Sequence, residues 1–254
     1  MEIKYIWRSK LRPGTCWFLA VRYIGLAATL AMIPYHFMVL DHESCSKLQW
    51  MREIIIVAQE LLIEVTLALR VLAMYSFNRW IFSGFATGIC TLTGISLWAM
   101  IAYGKRTDLL VAPGLSGCHA AYSHSAALRP AAIWEVVLAC DILVFVLTVR
   151  RAHQRRRMPH YSGSLMARME TDGTMYFGMI VLANFGNVLS FYVGDILTVG
   201  LLSWFTTNLS ITLLCRLMLN LHEAAAVGMS DTTTDGGDIT VSIRFTAPRA
   251  GEEE

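Results

Sequence analysis

The chain has 254 residues, of which 55% are hydrophobic and only 16% are charged, and its mean hydropathy is +0.50. A soluble domain is about 45–50% apolar and about 25% charged, so this composition argues against a soluble enzyme, a disordered regulator and a secreted disulfide scaffold. The formal net charge of +2 is close to neutral and gives no reason to expect a nucleic-acid partner.

Six apolar stretches come near the length of about 20 residues that crosses a bilayer as a helix. In chain order they are 17–40, 54–75, 80–103, 131–149, 175–194 and 196–219. Only Asp195 separates the last two stretches, which predicts a tight helical hairpin. Six such stretches leave too little polar surface for a soluble fold. We therefore predict an all-α, polytopic transmembrane helix bundle at 17–221, with the lipid bilayer as its main partner.

Lysine and arginine residues are unevenly divided among the segments that connect these stretches. Fifteen lie in segments that must share the side of the N-terminus, five lie on the opposite side, and Arg22 lies within the first stretch. Cytoplasmic segments of membrane proteins carry an excess of Lys and Arg. The division predicts that both termini face the cytoplasm, with the protein in the plasma membrane or an endomembrane.

The predicted cytoplasmic segments differ in composition. Residues 1–16 form a basic N-terminus. The connection at 150–173 contains a run of arginines, which are Arg150, Arg151, Arg155, Arg156 and Arg157. Residues 222–254 are rich in Ser, Thr, Asp, Gly and Glu, which predicts a disordered tail.

Two of the six cysteines, Cys45 and Cys118, fall in the predicted non-cytoplasmic connections. That compartment is oxidising for a protein of the secretory pathway, so we predict a disulfide between them, the alternative being two unrelated free thiols. The chain has no Cys or His spacing typical of a metal site, and we expect neither a metal nor a cofactor. It also has no Walker A, H-E-x-x-H or G-x-S-x-G pattern, so we do not expect an enzyme.

Several polar residues lie inside the predicted spans, where an ionisable group is costly and needs a partner or water. The acids are Glu60 and Glu64, which share one face of the second span, and Asp141 in the fourth. The amides are Asn184 and Asn187 in the fifth span and Asn208 in the sixth. The cluster predicts a cation or proton site, or a polar ligand pocket. The alternative is neutral acids that hydrogen-bond to these asparagines and serve only packing.

Two further features concern the ends and contacts of the spans. Arg70 closes the second span, and we expect it at the cytoplasmic interface, either in an ion pair or, more simply, snorkelling to the lipid headgroups. Gly84 and Gly88 form a G-x-x-x-G pattern in the third span, which is typical of closely packed membrane helices.

Four short pieces of the sequence carry a family resemblance. They are Glu2-Ile3-Lys4-Tyr5-Ile6-Trp7 with Arg22-Tyr23, Leu69-Arg70-Val71 with Ala73-Met74-Tyr75, Asp172-Gly173-Thr174-Met175-Tyr176-Phe177 with Leu182-Ala183-Asn184, and Arg216-Leu217 with Leu219-Asn220-Leu221. In order and spacing they resemble a group of multi-pass membrane proteins of mushroom-forming fungi, built around a domain of unknown function. Members usually carry one more helix before the Tyr-x-Trp segment.

The resemblance implies a layout with seven helices, of which the first is missing here. That layout looks like a seven-helix receptor, with Cys45 at the outer end of the third helix, Cys118 in the second outer loop, and Arg70 at the cytoplasmic end of the third helix. It places the 150–157 arginines in an inner loop where a cytoplasmic protein would dock. The family has no established activity, so the resemblance implies location and architecture rather than chemistry.

Three hypotheses follow for function. The first is a receptor-like or sensory membrane protein that responds to a small-molecule ligand on the outer side. The second is a small transporter or proton-coupled carrier that uses Glu60, Glu64 and Asp141. The third is a structural protein or a truncated, non-functional copy, and an in-frame apolar segment upstream of Met1 in the genome would favour the seven-helix layout instead.

Overall fold

The computed structural model describes seven segments of the chain. They are residues 13–38, 41–103, 108–110, 118–121, 124–156, 165–194 and 200–234. All structural statements below concern these segments.

The described segments form a bundle of long helices with one short hairpin. In chain order the elements are α1 (Pro13–Ala31), α2 (Ile33–Phe37), α3 (His42–Met74), α4 (Arg79–Tyr103), β1 (Asp108–Leu110), β2 (His119–Ala121), α5 (His124–Arg156), α6 (Leu165–Val193) and α7 (Leu201–Thr234). The two strands pair antiparallel, with Leu109 opposite Ala120. The predicted helix bundle is confirmed, and the hairpin is an addition that the sequence did not predict.

Five helical segments are long and apolar enough to cross a membrane, which makes this a multi-pass membrane protein. They are Gly14–Tyr35, Arg79–Trp98, Pro130–Gln154, Gly173–Val193 and Leu202–Leu221. The remaining long helix, α3, is too polar for that criterion because of its acids and arginines. Its 33 residues nevertheless rise about 50 Å, and it packs against α1, α4, α5 and α7. α3 contains most of the second predicted span, 54–75, and packs within the bundle, but it is not among the five helices apolar enough to cross a membrane.

The first predicted span is broken near its end. We predicted one stretch at 17–40, but α1 ends at Ala31, and α2 begins after Met32 with a proline in its first turn. Pro34 has no amide proton and cannot continue the hydrogen-bond ladder of α1, although it is well suited to start a new helix. The break leaves Tyr35 buried against α3 and Cys118.

α3 begins earlier than predicted, at His42 instead of residue 54. Asp41 caps its first turn, and its carboxylate accepts a hydrogen bond from the Ser44 amide at 3.4 Å. Hydrogen bonds from Ser44 hold the pKa of Asp41 below its usual value, as expected for a carboxylate at a helix N-terminus. Residues 42–53 are polar, and polar residues can form a helix as readily as apolar ones. Hydropathy therefore did not predict this first part of α3.

The later helices also extend beyond the predicted apolar stretches. The connection predicted at 150–173 is helical at both ends, since α5 continues to Arg156 and α6 begins at Leu165. The tail predicted to be disordered from 222 is helical up to Thr234, and residues 235–254 lie outside the described segments. α7 starts at Leu201, five residues later than predicted, directly after Gly200 with a positive φ of 75°.

Buried apolar side chains form three clusters along the bundle. One lies toward the end that carries Arg70 and contains Phe18, Leu67 and Phe177, all at most 2% exposed. A second contains Trp134 and Phe191 of α5 and α6. The third surrounds Cys45 and Cys118 at the opposite end. We call these two ends the arginine end and the disulfide end.

The two glycines of the predicted G-x-x-x-G pattern have different surroundings. A Cβ added at Gly88 would lie 3.0 Å from the Cys140 sulfur of α5, whereas one added at Gly84 would meet nothing within 4 Å. Only Gly88 therefore serves the close approach of two helices.

We expect Gly88→Leu to lower the free energy of unfolding by about 1–3 kcal/mol, because the added side chain overpacks the contact between α4 and α5. Thermal unfolding in detergent measures this effect. Gly84→Leu is the matched control, and its midpoint should stay within the scatter of the wild type. Equal effects of the two substitutions would show that helix propensity rather than packing decides the outcome.

Candidate functional site

The three predicted intramembrane acids are all buried in the structure. Glu60 is 4% exposed, Glu64 is 2% exposed and Asp141 is 3% exposed. Glu60 and Glu64 share the inward face of α3, and Asp141 projects from α5, which packs against α3. The Asp141 carboxyl interacts electrostatically with both acids of α3. We call these three buried acids, which lie on the facing helices α3 and α5, the acidic cluster.

Glu60 is bound to α7 through a hydroxyl. The Thr207 Oγ1 atom lies 2.5 Å from Glu60 Oε1 and also 2.9 Å from the Ser203 backbone carbonyl. The Thr207 hydroxyl thus joins α7 to α3 at Glu60.

Asp141 is bound to α6 by Asn184, as one of the two predicted interpretations requires. The Asn184 side-chain amide donates to Asp141 Oδ2 at 2.6 Å, and both residues are at most 3% exposed. Asn184 therefore links α6 to α5 at the acidic cluster.

The two other predicted asparagines also link helices. Asn187 of α6 accepts a hydrogen bond from the Ser203 hydroxyl of α7 at 3.2 Å. Asn208 of α7 accepts one from the Thr29 hydroxyl of α1 at 2.8 Å. Asn208 thus lies on the α1 side of α7 and takes no part in the described hydrogen bonds of the acids.

The hydroxyl partners on α7 were missed by the sequence analysis, although the sequence carries a signal for them. Ser203, Thr206, Thr207 and Ser210 recur at helical spacing within an otherwise apolar run, and all four are at most 4% exposed. Three- and four-residue spacing brings side chains onto one face of a helix. A hydroxyl row of this kind predicts a polar contact inside a membrane bundle.

Cys45 and Cys118 form a disulfide, which is the pairing expected from the sequence. It connects the first turn of α3 with the residue before β2. The Cys118 amide also donates to the Tyr35 carbonyl at 2.9 Å. Cys118 is therefore bonded both to α2, through this hydrogen bond, and to α3, through the disulfide. Met32, Tyr35 and Trp204 pack around the two sulfurs.

A second polar network lies beneath the disulfide, and the sequence analysis did not predict it. The Tyr35 hydroxyl donates to Gln49 at 2.5 Å, and the Gln49 amide donates to Glu53 at 2.9 Å. Arg52 pairs with Glu53 at 3.1 Å, lies over the Tyr35 ring, and donates to the Gly200 carbonyl at 3.3 Å. Arg52 therefore joins α2, α3 and the start of α7.

Arg70 stacks on an aromatic ring of a neighbouring helix, a contact that the sequence analysis did not predict. Its guanidinium lies 5.2 Å from the centre of the Phe177 ring of α6, and it comes within 3.4 Å of the position where Gly173 would carry a Cβ. The side chain is half-buried. A guanidinium stacked on an aromatic ring gains a cation–π interaction that a headgroup contact lacks. Arg70 thus packs α3 against α6.

The other predicted interfacial arginines divide into three groups. Arg150 is exposed. Arg151 is half-buried and stacks on the Tyr75 ring at 5.3 Å, and the Tyr75 hydroxyl donates to the Leu147 carbonyl at 2.9 Å. The side chains of Arg155 and Arg156, and all of Arg157, lie outside the described part of the chain. Contacts among α3, α5 and α6 therefore hold the arginine end together.

Among the described residues, no group of three His, Cys, Asp or Glu side chains converges as a metal site would require. The described ion pairs, Lys47–Glu43 and Arg52–Glu53, lie on the disulfide half of α3 and do not reach the acidic cluster. No family model, no curated protein and no solved structure matches this chain. The contacts within the bundle are therefore the basis for assigning a function.

Proposed function

We propose that this protein is a receptor-like sensor in which α3 transmits a change from the disulfide end to the arginine end. The observation that carries the proposal is the position of α3. Its first turn bears the disulfide, its middle bears Glu60 and Glu64, and its last turns bear Arg70. The disulfide joins α3 to the residue before β2, Glu60 contacts Thr207 of α7, and Arg70 packs on Phe177 of α6, so a shift of α3 would change contacts along the whole bundle.

The disulfide end suits a ligand-binding side. The disulfide fastens the connection beside β2, and beneath it the Tyr35–Gln49–Glu53–Arg52 network offers donors, acceptors and an aromatic ring in one place. Sites for small molecules combine apolar walls with a few polar groups in this way. The uneven division of Lys and Arg favours an outer location for this end.

The arginine end suits the side of the protein that a cytoplasmic partner would bind. Arg70, Tyr75 and Arg151 connect α3, α5 and α6 by aromatic stacking and a hydrogen bond. Such contacts can change in steps, because an aromatic stack either forms or does not. A rearrangement here would alter the surface formed by the end of α5 and the start of α6.

We expect Arg52→Met to change hydrogen exchange at the arginine end, although the two ends are separated by most of the length of α3. The substitution removes the bonds to Glu53 and Gly200 and keeps a long side chain. Exchange of the amides around residues 75–78 and 165–173 should speed up several-fold in the purified protein. Glu43→Gln, an exposed change on the same helix, is the control. Exchange confined to the disulfide end would refute transmission along α3.

The second candidate is a proton-coupled carrier, and the burial of Glu60 among the helices favours it, because an ionisable group inside a membrane bundle is typical of proton pathways. Proteoliposomes containing a pH-sensitive dye distinguish the two candidates. A carrier requires a proton flux that Glu60→Gln abolishes, whereas a receptor-like protein leaves the vesicles impermeable. Equal leakage of the wild type and Glu60→Gln would remove the carrier from consideration.

A further inference from the structure

The α3–α4 turn, residues 75–80, exposes two large aromatic side chains at the arginine end. Phe77 is 63% exposed and Trp80 is 86% exposed, the highest value for a large apolar side chain in the described segments. Trp80 is also the second residue of the membrane-crossing segment Arg79–Trp98. Tryptophan is enriched where a bilayer meets water. The position of Trp80 therefore indicates contact with the lipid headgroup region.

The backbone of this turn is held in a conformation that costs free energy. Ser76 and Phe77 have left-handed φ angles of 54° and 55°, which a bulky residue rarely adopts. The Phe77 amide donates to the Leu72 carbonyl at 2.8 Å, and the Asn78 side chain accepts from the Trp80 amide at 2.9 Å. Glycine would form the same helix end without the cost. Burial of the Phe77 ring in lipid would offset it.

The α3–α4 turn is joined to the last turns of α5. Tyr75, its first residue, donates its hydroxyl to the Leu147 carbonyl of α5 at 2.9 Å. Arg151 of α5 stacks on the Tyr75 ring at 5.3 Å. The next residue toward the start of α5, Arg150, is exposed, and so is Arg79 in the turn. Two exposed guanidinium groups therefore flank the contact between the turn and α5.

Arg79 and Arg150 lie at the same surface of the membrane. Arg79 is the first residue of the segment Arg79–Trp98, and Arg150 lies four residues before the end of the segment Pro130–Gln154. Four helical residues span about 6 Å, which is within the polar headgroup region of a bilayer. The ion pairs in the described part of the chain lie on the disulfide half of α3 and include neither arginine. Both charges are therefore available to an anionic group at headgroup level.

We propose that the α3–α4 turn and the last turns of α5 bind an anionic phospholipid, with phosphatidylserine as the representative. Arg79 and Arg150 bind its headgroup, and Phe77 and Trp80 lie against the upper part of its acyl chains. Guanidinium groups bind phosphate through paired hydrogen bonds. The cytoplasmic leaflet, which the uneven division of Lys and Arg favours for this end, carries anionic lipids. A soluble phosphorylated partner would satisfy the arginines but would leave both aromatic side chains without an apolar contact.

A lipid bound here would stabilise the arginine end of the bundle. Its headgroup would lie beside the stack of Arg151 on Tyr75, which connects α3 with α5. The proposal goes beyond the receptor-like function and does not depend on it, because a bound lipid is compatible with a sensor, a carrier or a structural protein.

The test is quenching of Trp80 fluorescence by brominated lipid in nanodiscs that each hold one full-length protein. The discs consist of phosphatidylcholine with a minor fraction of either brominated phosphatidylserine or brominated phosphatidylcholine, with the bromines close to the headgroup. The chain has seven tryptophans, so the difference between the wild type and Trp80→Phe isolates the signal of Trp80. We expect about a five-fold or greater preference for phosphatidylserine beside Trp80 at low ionic strength.

The arginines are tested by substitution and by salt. The double variant Arg79→Gln with Arg150→Gln should quench equally with the two lipids. Lys47→Gln, which removes an exposed base at the disulfide end, is the control and should keep the full preference. High sodium chloride should reduce the preference in the wild type, because salt screens exposed charges. The salt measurement needs no variant and therefore stands even if the double variant folds poorly.

Three results would overturn the proposal. Equal quenching by the two lipids in the wild type at low ionic strength would show that no anionic lipid is enriched beside the turn. A preference that survives in the double variant would place the anionic lipid elsewhere on the protein. Absence of quenching of Trp80 by either lipid would show that the α3–α4 turn does not contact the bilayer.

Discussion

Cys118→Ser should lower the free energy of unfolding by about 2–5 kcal/mol and the unfolding midpoint by about 10 °C. The disulfide links positions 73 residues apart in the sequence, and a crosslink across such a long segment restricts the unfolded chain strongly. We expect the loss in free energy of unfolding to fall in the lower half of this range. Helices that remain inserted in a membrane or micelle already restrict the conformations of the unfolded chain. Circular dichroism of the protein in detergent micelles, recorded while the temperature is raised, measures this unfolding.

Three companion variants show whether the disulfide is the cause. Cys45→Ser and the double variant should each cost the same as Cys118→Ser, since the bond can be removed only once. Cys90→Ser replaces an exposed free cysteine of α4 and should leave the midpoint unchanged. If the double variant costs twice as much as either single one, the two residues act through packing instead of through a bond.

Asn184→Leu should lower the free energy of unfolding by about 2–3 kcal/mol, because it leaves the buried Asp141 carboxyl without its 2.6 Å donor. Leucine keeps the branched shape of asparagine and is larger, so the substitution leaves no cavity to add to this cost. Unfolding in detergent micelles, followed by circular dichroism, measures it. Phe185→Leu changes the neighbouring residue, whose side chain is 48% exposed, and should cost less than about 0.5 kcal/mol.

A double-mutant cycle separates the hydrogen bond from the loss of each side chain. Asp141→Leu added to Asn184→Leu should restore most of the stability, because replacing both partners of a buried polar pair removes the unpaired group. Additive costs of the two substitutions would contradict a direct interaction and would point to independent roles for the two helices.

The sequence predicted the long helices because each contains enough apolar residues to cross a bilayer, and hydropathy is a local property. It also predicted the acids and asparagines as interior groups, because a membrane penalises polar side chains that face lipid. It failed at helix ends. The first turn of α3 and the ends of α5 and α7 are polar, and a polar residue in water is as compatible with a helix as with a loop.

Only some of the contacts between residues distant in the chain could be predicted from the sequence. Cys45 and Cys118 could be paired because predicted topology placed no other cysteine on their side. Arg70 could not be assigned, since snorkelling and stacking on Phe177 both satisfy an arginine near a helix end. The Arg52 network was missed because it depends on the break before Pro34, which turns Tyr35 toward α3.

What the sequence by itself determined is the membrane class of this protein, the number of its long helices and the identity of its buried charges. These follow from composition and spacing along a single chain. Only the tertiary structure decided which partner each charge has: Thr207 for Glu60, Asn184 for Asp141, and no described donor for one Glu64 oxygen. The reason is physical, since a hydrogen bond requires approach within about 3 Å, and only the packing of helices against one another fixes such distances.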